Sequence, residues 1–231
     1  MTAFEPLPQR VRPHDPLQTF RLRRGRLSAR QSAALETLWQ THGVHVDGRA
    51  LDLPGLFGRS APVVLDVGSG MGEATALAAA ADPSRDVLAV EVHTPGLGAL
   101  LATVREQALT NVRVADGDAR VLLELMLRPT SLDQVRVWFP DPWPKARHAK
   151  RRLVGPAFLG LVASRLRPGG VLHVATDWPP YAERVVADLA GCPALRLVSR
   201  ERPRWRPVTR FEAQGRAAGR PAVDLLAVRQ A

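Results

Sequence analysis

The sequence predicts an α/β fold, a doubly wound, mostly parallel sheet of seven strands carried behind a basic N-terminal extension. Three observations predict it. From Val63 onward, short apolar runs alternate with segments of helical period, the texture of β-α units. The first of those runs ends in a glycine-rich turn, LDVGSGMGE, with glycines at 68, 70 and 72. The 231 residues suffice for one such domain and an extension, but not for two large domains. The expected division is a basic arm with a short helix over residues 1–60 and the α/β domain over residues 61–231.

The elements follow in order. Residues 1–17, rich in proline and polar groups, predict a mobile arm. The next segment opens on an arginine run (Arg21, Arg23, Arg24, Arg26, Arg30). It continues as an amphipathic helix with Ala33, Leu35, Leu38 and Trp39 on one face and Ser32 as its cap. Strands are expected at residues 63–66, 87–91, 112–115, 135–139, 171–175, 195–198 and 223–228. Helices are expected between them over residues 73–81, 95–107, 119–127 and 156–166, the last stopped by Pro168-Gly169-Gly170. Pro179 and Pro180 suit the first turn of a further helix running to about Leu189.

Composition narrows the classes. One cysteine, Cys192, excludes an intramolecular disulfide and a cysteine zinc cluster. No apolar run approaches the roughly 20 residues of a membrane span, and the first residues carry no signal core, so the expected compartment is the cytoplasm. The formal net charge of +10 favours a polyanionic partner, although charge alone does not separate that from a merely basic protein. Nearly every cation is arginine. The two lysines, Lys145 and Lys150, share one short segment.

The glycine turn distinguishes cofactors. A dinucleotide-binding fingerprint places its third glycine at position 73, where this chain has Glu73, an acid that would repel a pyrophosphate. The GxGxG spacing resembles instead the turn of Rossmann-like S-adenosylmethionine methyltransferases, whose cofactor carries a sulfonium cation; Gly68 and Gly70 would allow its close approach and Asp66 suits its cationic end. Glu91, close to 20 residues after the turn, can accept from both ribose hydroxyls, and Asp118 from the adenine amino group. Each has a plainer alternative, a solvated strand end for Glu91 and a helix cap for Asp118.

The segment after the fourth expected strand, VWFPDPWPKARHAKRR, fixes Asp141 between two prolines and follows it with Lys145, Arg147, Lys150, Arg151 and Arg152. Such a run is either a solvated loop or, beside a cofactor crevice, a grip on a polyanion, with Trp143 suited to base stacking. FPDPWPKARHAKRR resembles the signature loop of the bacterial tRNA (guanine-N7)-methyltransferases. RLRRGRLSARQSAALETLW, VEVHTPGLGALL, ATDWPPYAE and RPVTRFEAQGRAAG are similar to further motifs of that family, in the same order.

The resemblance implies a class I S-adenosylmethionine-dependent fold and methyl transfer to guanine N7 in tRNA, at the variable-loop position 46, by a monomer or homodimer requiring no metal and no membrane. It puts cofactor contacts on Asp66, Glu91, Asp118 and Asp141, with Asp141 also catalytic. Substrate contacts fall on Lys145, Asp177, Thr209, Arg210, Phe211 and Glu212. Asp66 and Arg210 depart from the family's more common glutamate and lysine. The alternatives are that Asp177 caps the helix starting at Trp178 and that Glu212 is merely exposed. Other readings of the chain are a methyltransferase of the same fold acting on another substrate and an RNA-binding module.

Overall fold

The structure is a computed structural model, and the residues it describes are 19–20 and 25–231. The expected mobile arm, and Arg21, Arg23 and Arg24 of the arginine run, lie outside the described residues. The described chain forms two compact units, residues 25–128 and residues 129–231 together with 19–20.

The first unit begins with helix α1 (Ala29–His42). Its cap is Ser28 rather than Ser32. The Ser28 hydroxyl accepts the Gln31 N–H and the Gln31 side chain accepts the Ser28 N–H in return, a capping box one turn earlier than expected. The buried face is Gln31, Ala34, Leu35 and Trp39, and the helix packs on α4 (Thr94–Glu106). Strand β1 (Gly43–His45) was not expected. Three residues are too few for a period to show, and the strand forms only because it pairs in parallel with β4 (Val112–Asp116). A short helix, α2 (Leu53–Phe57), precedes β2 (Val63–Val67), α3 (Glu73–Ala81) and β3 (Asp86–Glu91).

Within this unit the strand order is β1-β4-β3-β2, parallel throughout. Every residue of β2 and β3 is buried, as a parallel strand covered on both faces requires, and the core is built around Val64, Val87, Ala89, Leu97, Leu100, Leu101 and Val112. After β4 the chain makes one α turn, α5 (Ala119–Val121), and then a π-helical segment at Leu122–Met126, where the expected helix was regular. The Leu127 N–H reaches back five residues to the Leu122 carbonyl at 3.0 Å.

The second unit contains β5 (Leu132–Trp138), a 3-10 segment Ala146–Arg151, α6 (Pro156–Arg165), β6 (Leu166–Thr176), α7 (Pro179–Ala190), β7 (Leu195–Ser199), α8 (Arg210–Ala217) and β8 (Val223–Arg229). Its strand order is β5-β6-β8-β7, with β5 and β6 parallel and β8 antiparallel to both neighbours. Pro168-Gly169-Gly170 does not separate helix from strand as expected. It lies inside β6, in an irregularity where the partners step from Leu132–Leu166 to Gln134–Val171, and Gly169 takes a φ of 78° there. Among the described residues the strands number eight rather than seven, the addition being β1.

Candidate functional site

In the first unit, Asp66, Glu91 and Asp118 come together at the carboxyl ends of three successive neighbouring strands, β2, β3 and β4. Asp66 is buried inside an otherwise apolar strand, and the Thr75 hydroxyl on α3 donates to it at 2.6 Å. Glu91 is no solvated strand end. One carboxylate oxygen accepts the Gly70 N–H at 2.8 Å, and the other accepts the N–H groups of Val92 at 2.7 Å and His93 at 2.9 Å. Burial pushes the Glu91 carboxyl above the usual carboxylate range, and those three hydrogen bonds oppose the shift. A carboxylate offers about four lone-pair sites, so three backbone donors leave one for a ligand hydroxyl. Asp118 does cap α5, accepting the Arg120 N–H at 2.8 Å, and its second oxygen takes the Arg120 guanidinium at 3.2 Å.

The glycine turn joins this group directly through the Gly70 amide. Gly68 and Gly70 have φ of 75° and 58°, and a Cβ added at either would meet nothing within 4 Å, so the turn faces open space. Gly96, at the start of α4, was not singled out from the sequence, yet a Cβ there would lie 2.1 Å from the Gly70 carbonyl oxygen. The helix thus sets the back of the turn. A buried acid held by main-chain donors, beside a turn open on its outer side, fits a nucleoside bearing a positively charged group.

In the second unit, Asp141 sits half-buried in the loop after β5. Two non-glycine residues of positive φ bracket it, Phe139 at 55° and Trp143 at 43°, a strain of about 1–3 kcal/mol each that the surroundings must hold. They are anchored. The Phe139 N–H donates to the Ala175 carbonyl at 2.7 Å, the Trp143 indole N–H to the Thr19 carbonyl at 3.2 Å, and Arg152 to the Pro142 carbonyl at 2.8 Å.

The expected stacking role of Trp143 does not survive this arrangement. Its side chain is 3% exposed, and the Arg151 guanidinium covers the ring 3.9 Å from its centre. Arg152 lies over the Tyr181 ring, while the Tyr181 hydroxyl accepts the Val154 N–H at 2.9 Å; burial pushes that phenol up. Arg151 and Arg152 therefore build the loop. Lys145, Arg147 and Lys150 are exposed along the 3-10 segment. In the arginine run, Arg26 is exposed, whereas Arg30 is paired with Glu106 at 2.7 Å.

The remaining predicted residues gather around α8. Thr209 caps it, its hydroxyl accepting the Glu212 N–H at 3.0 Å; Arg210 and Phe211 are exposed. Asp177 does not cap α7. That helix is capped at Trp178 without a side-chain bond, and Asp177 pairs with Arg220 at 3.0 Å and lies against Gly215 of α8. Glu212 is 1% exposed, which removes the alternative that it is a surface acid. Its carboxylate holds Arg206 at 2.7 Å, Arg202 at 3.2 Å and Arg216.

Arg206, fully buried, also donates to Asp224 at 3.0 Å, and Asp224 meets His173 at 2.7 Å. The Trp138 indole, which can only donate, reaches His173 Nδ1 at 3.1 Å, so the His173 proton is on Nε2 and points to Asp224. Burial lowers the His173 pKa and keeps the ring neutral; the His173 hydrogen bond and the Arg206 charge hold the Asp224 carboxyl low despite its own burial. Sequence reading missed this chain, since nothing in RPRWRPVTRFE marks Arg206 as the buried arginine.

The fold is that of the class I S-adenosylmethionine-dependent methyltransferases. The methyltransferase family model matches residues 60–225. Among solved structures, a 16S rRNA methyltransferase (KamB) aligns with a TM-score of 0.59 at 19% identity, over 79% of this chain and 95% of that one. The geranyl diphosphate C-methyltransferase of Streptomyces coelicolor, solved with S-adenosyl-L-homocysteine, aligns with a TM-score of 0.52 at 13% identity, over 75% of this chain and 72% of that one. A tRNA (guanine-N(7)-)-methyltransferase of Streptomyces avermitilis is 53% identical over 91% of this chain and 74% of its own length. One of Nitrosospira multiformis is 51% identical over 93% of this chain and 95% of its own length. The chain belongs to the tRNA (guanine-N(7)-)-methyltransferase family.

Proposed function

We infer that the chain transfers the methyl group of S-adenosylmethionine to N7 of a guanosine in tRNA. The observation that carries this is its membership of that family along nine-tenths of its length. The finer assignment, to the variable-loop guanosine at position 46, rests on the motif resemblance. As an enzyme of tRNA it is assigned to the cytoplasm. Among the described residues no helix is long and apolar enough to cross a membrane.

When bound, S-adenosylmethionine supplies an electrophilic methyl on a sulfonium. Gly68 and Gly70 would let the main chain approach it, Asp66 would offset its positive charge, Glu91 would accept a ribose hydroxyl with its remaining lone pair, and Asp118 would accept from the adenine amino group. Guanine N7 carries a free lone pair at neutral pH, so no residue need act as a base to expose it. Aligning N7 with the methyl carbon is the main task, an effect that supplies on the order of 7–11 kcal/mol. The purine becomes cationic as the bond forms, and Asp141, held in its strained loop, stabilises that charge. Lys145, Asp177, Thr209, Arg210 and Phe211 contact the substrate. Glu212 acts through others, as a positioning residue that fixes three arginines.

Methyl transfer from labelled S-adenosylmethionine to unmodified tRNA, with the product nucleoside identified by mass spectrometry, tests the reading. N7-methylguanosine is expected, and another methylated nucleoside would overturn the substrate. Asp141→Asn is expected to lower kcat about 100-fold at saturating substrates, and undiminished turnover would remove the electrostatic role.

A further inference from the structure

We propose that Trp205 is a stacking platform for an unpaired nucleobase of the tRNA. It rests on the tRNA reading above and adds a contact that none of the motif residues supplies. Trp205 stands at the tip of a tight turn closed by the Arg206 N–H on the Pro203 carbonyl at 3.1 Å. Its inner side is built from rigid strands. The Arg136 guanidinium lies 5.1 Å from the Trp205 ring and 5.2 Å from the Trp138 ring, a cation shared between two indoles, and the His173 ring meets Trp205 edge-on at 5.4 Å. Immediately after it, Arg206 is locked to Glu212 and Asp224 inside the unit. The tryptophan is held from behind and below, yet 47% of it remains exposed.

A single exposed indole is ordinary, whereas several exposed apolar side chains rimmed by charge mark an interaction surface. Two more large apolar side chains are exposed on the same stretch, Val208 at 51% and Phe211 at 52%. Exposed Arg204 and Arg210 are interleaved with them, and neither forms an ion pair among the described residues. Aromatic faces among uncommitted cations match a nucleic acid, whose bases supply π-faces and whose phosphates supply the charge. A second copy of this chain fits less well. A two-fold interface would set this arginine-bearing patch against itself.

The test compares wild type, Trp205→Ala and Trp205→Phe in methyl transfer to unmodified tRNA, with tRNA binding followed in parallel by fluorescence anisotropy. Trp205→Ala is expected to raise KM and weaken tRNA binding about tenfold. Its kcat, its affinity for S-adenosylmethionine and its salt dependence should stay close to wild type. Trp205→Phe, which keeps a ring, is expected to recover most of the loss; that recovery, with an unchanged melting temperature, separates stacking from a structural role. A Trp205→Ala enzyme within twofold of wild type in both KM and binding overturns the proposal. So does a variant that loses self-association in sedimentation while binding tRNA normally. If wild type binds tRNA without methylating it, the functional reading fails, and the anisotropy comparison still decides the platform.

Discussion

Glu91 and Glu212 are both buried glutamates expected from the sequence to contact ligands, and the two units satisfy them by opposite means. Glu91 is met by three main-chain N–H groups, from Gly70, Val92 and His93. Glu212 is met by three guanidiniums, from Arg202, Arg206 and Arg216. A carboxylate held by main-chain dipoles stays only partly compensated, and burial raises its pKa. One held by full positive charges becomes part of a network whose members depend on each other. The first arrangement leaves capacity for a ligand; the second spends its capacity on shape.

Removing the hub of the network is therefore expected to have the largest effect. Arg206→Met leaves Glu212 and Asp224 buried with their strongest partner gone. Breaking one partner out of a buried ion cluster costs about 3–5 kcal/mol. Denaturant unfolding is expected to show a loss of that size, with the Trp205–Phe211 surface disordered as well. A loss under about 1 kcal/mol would mean that α8 and its preceding loop stand without the network.

The same contrast explains what could be read in advance. Main-chain sites leave a local trace. The glycine spacing at 68, 70 and 72, the acid of β3 some twenty residues later and the acid after β4 are all visible because the strand-turn-helix unit fixes their separation. Side-chain sites do not. His173 and Asp224 are 51 positions apart and become neighbours only because β6 and β8 pair antiparallel. The motif resemblance points to Thr209–Glu212 without revealing that Glu212 faces inward, and Trp143 offers no open face for stacking because Arg151, eight residues on, folds back over its ring. Strand β1 and the π-helical segment were illegible for a simpler reason, since each is only a few residues long and owes its form to its neighbours.

A middle-sized effect separates the two carboxylates more sharply. Glu91→Gln keeps the shape but turns one acceptor into a donor that faces a backbone N–H. Hydrogen bonds to a charged group contribute about 1.5–3 kcal/mol. Affinity for S-adenosylmethionine, read by calorimetry, is expected to fall by about one to two orders of magnitude. Folding stability should change by less than in Arg206→Met. Unchanged affinity would mean that the fourth lone pair of Glu91 meets no ligand hydroxyl.

The smallest effect belongs to the exposed cations, and it tests whether exposure itself sorts the basic loop. Lys150 is exposed and has no ion-pair partner among the described residues, while Arg151 two places from Ala149 is spent on the Trp143 ring. Each phosphate neutralised adds about 0.7–0.9 to the slope of log affinity against log salt. Lys150→Ala is expected to reduce that slope for tRNA by about one such step, with melting temperature and S-adenosylmethionine affinity unchanged. Arg151→Ala should do the reverse, leaving the slope near wild type and lowering stability by about 0.5–2 kcal/mol, the range of a buried cation–π contact. Equal salt slopes for Lys150→Ala and wild type would show that this lysine meets no phosphate, and the grip on tRNA would then have to come from other exposed cations such as Lys145, Arg147, Arg204 and Arg210.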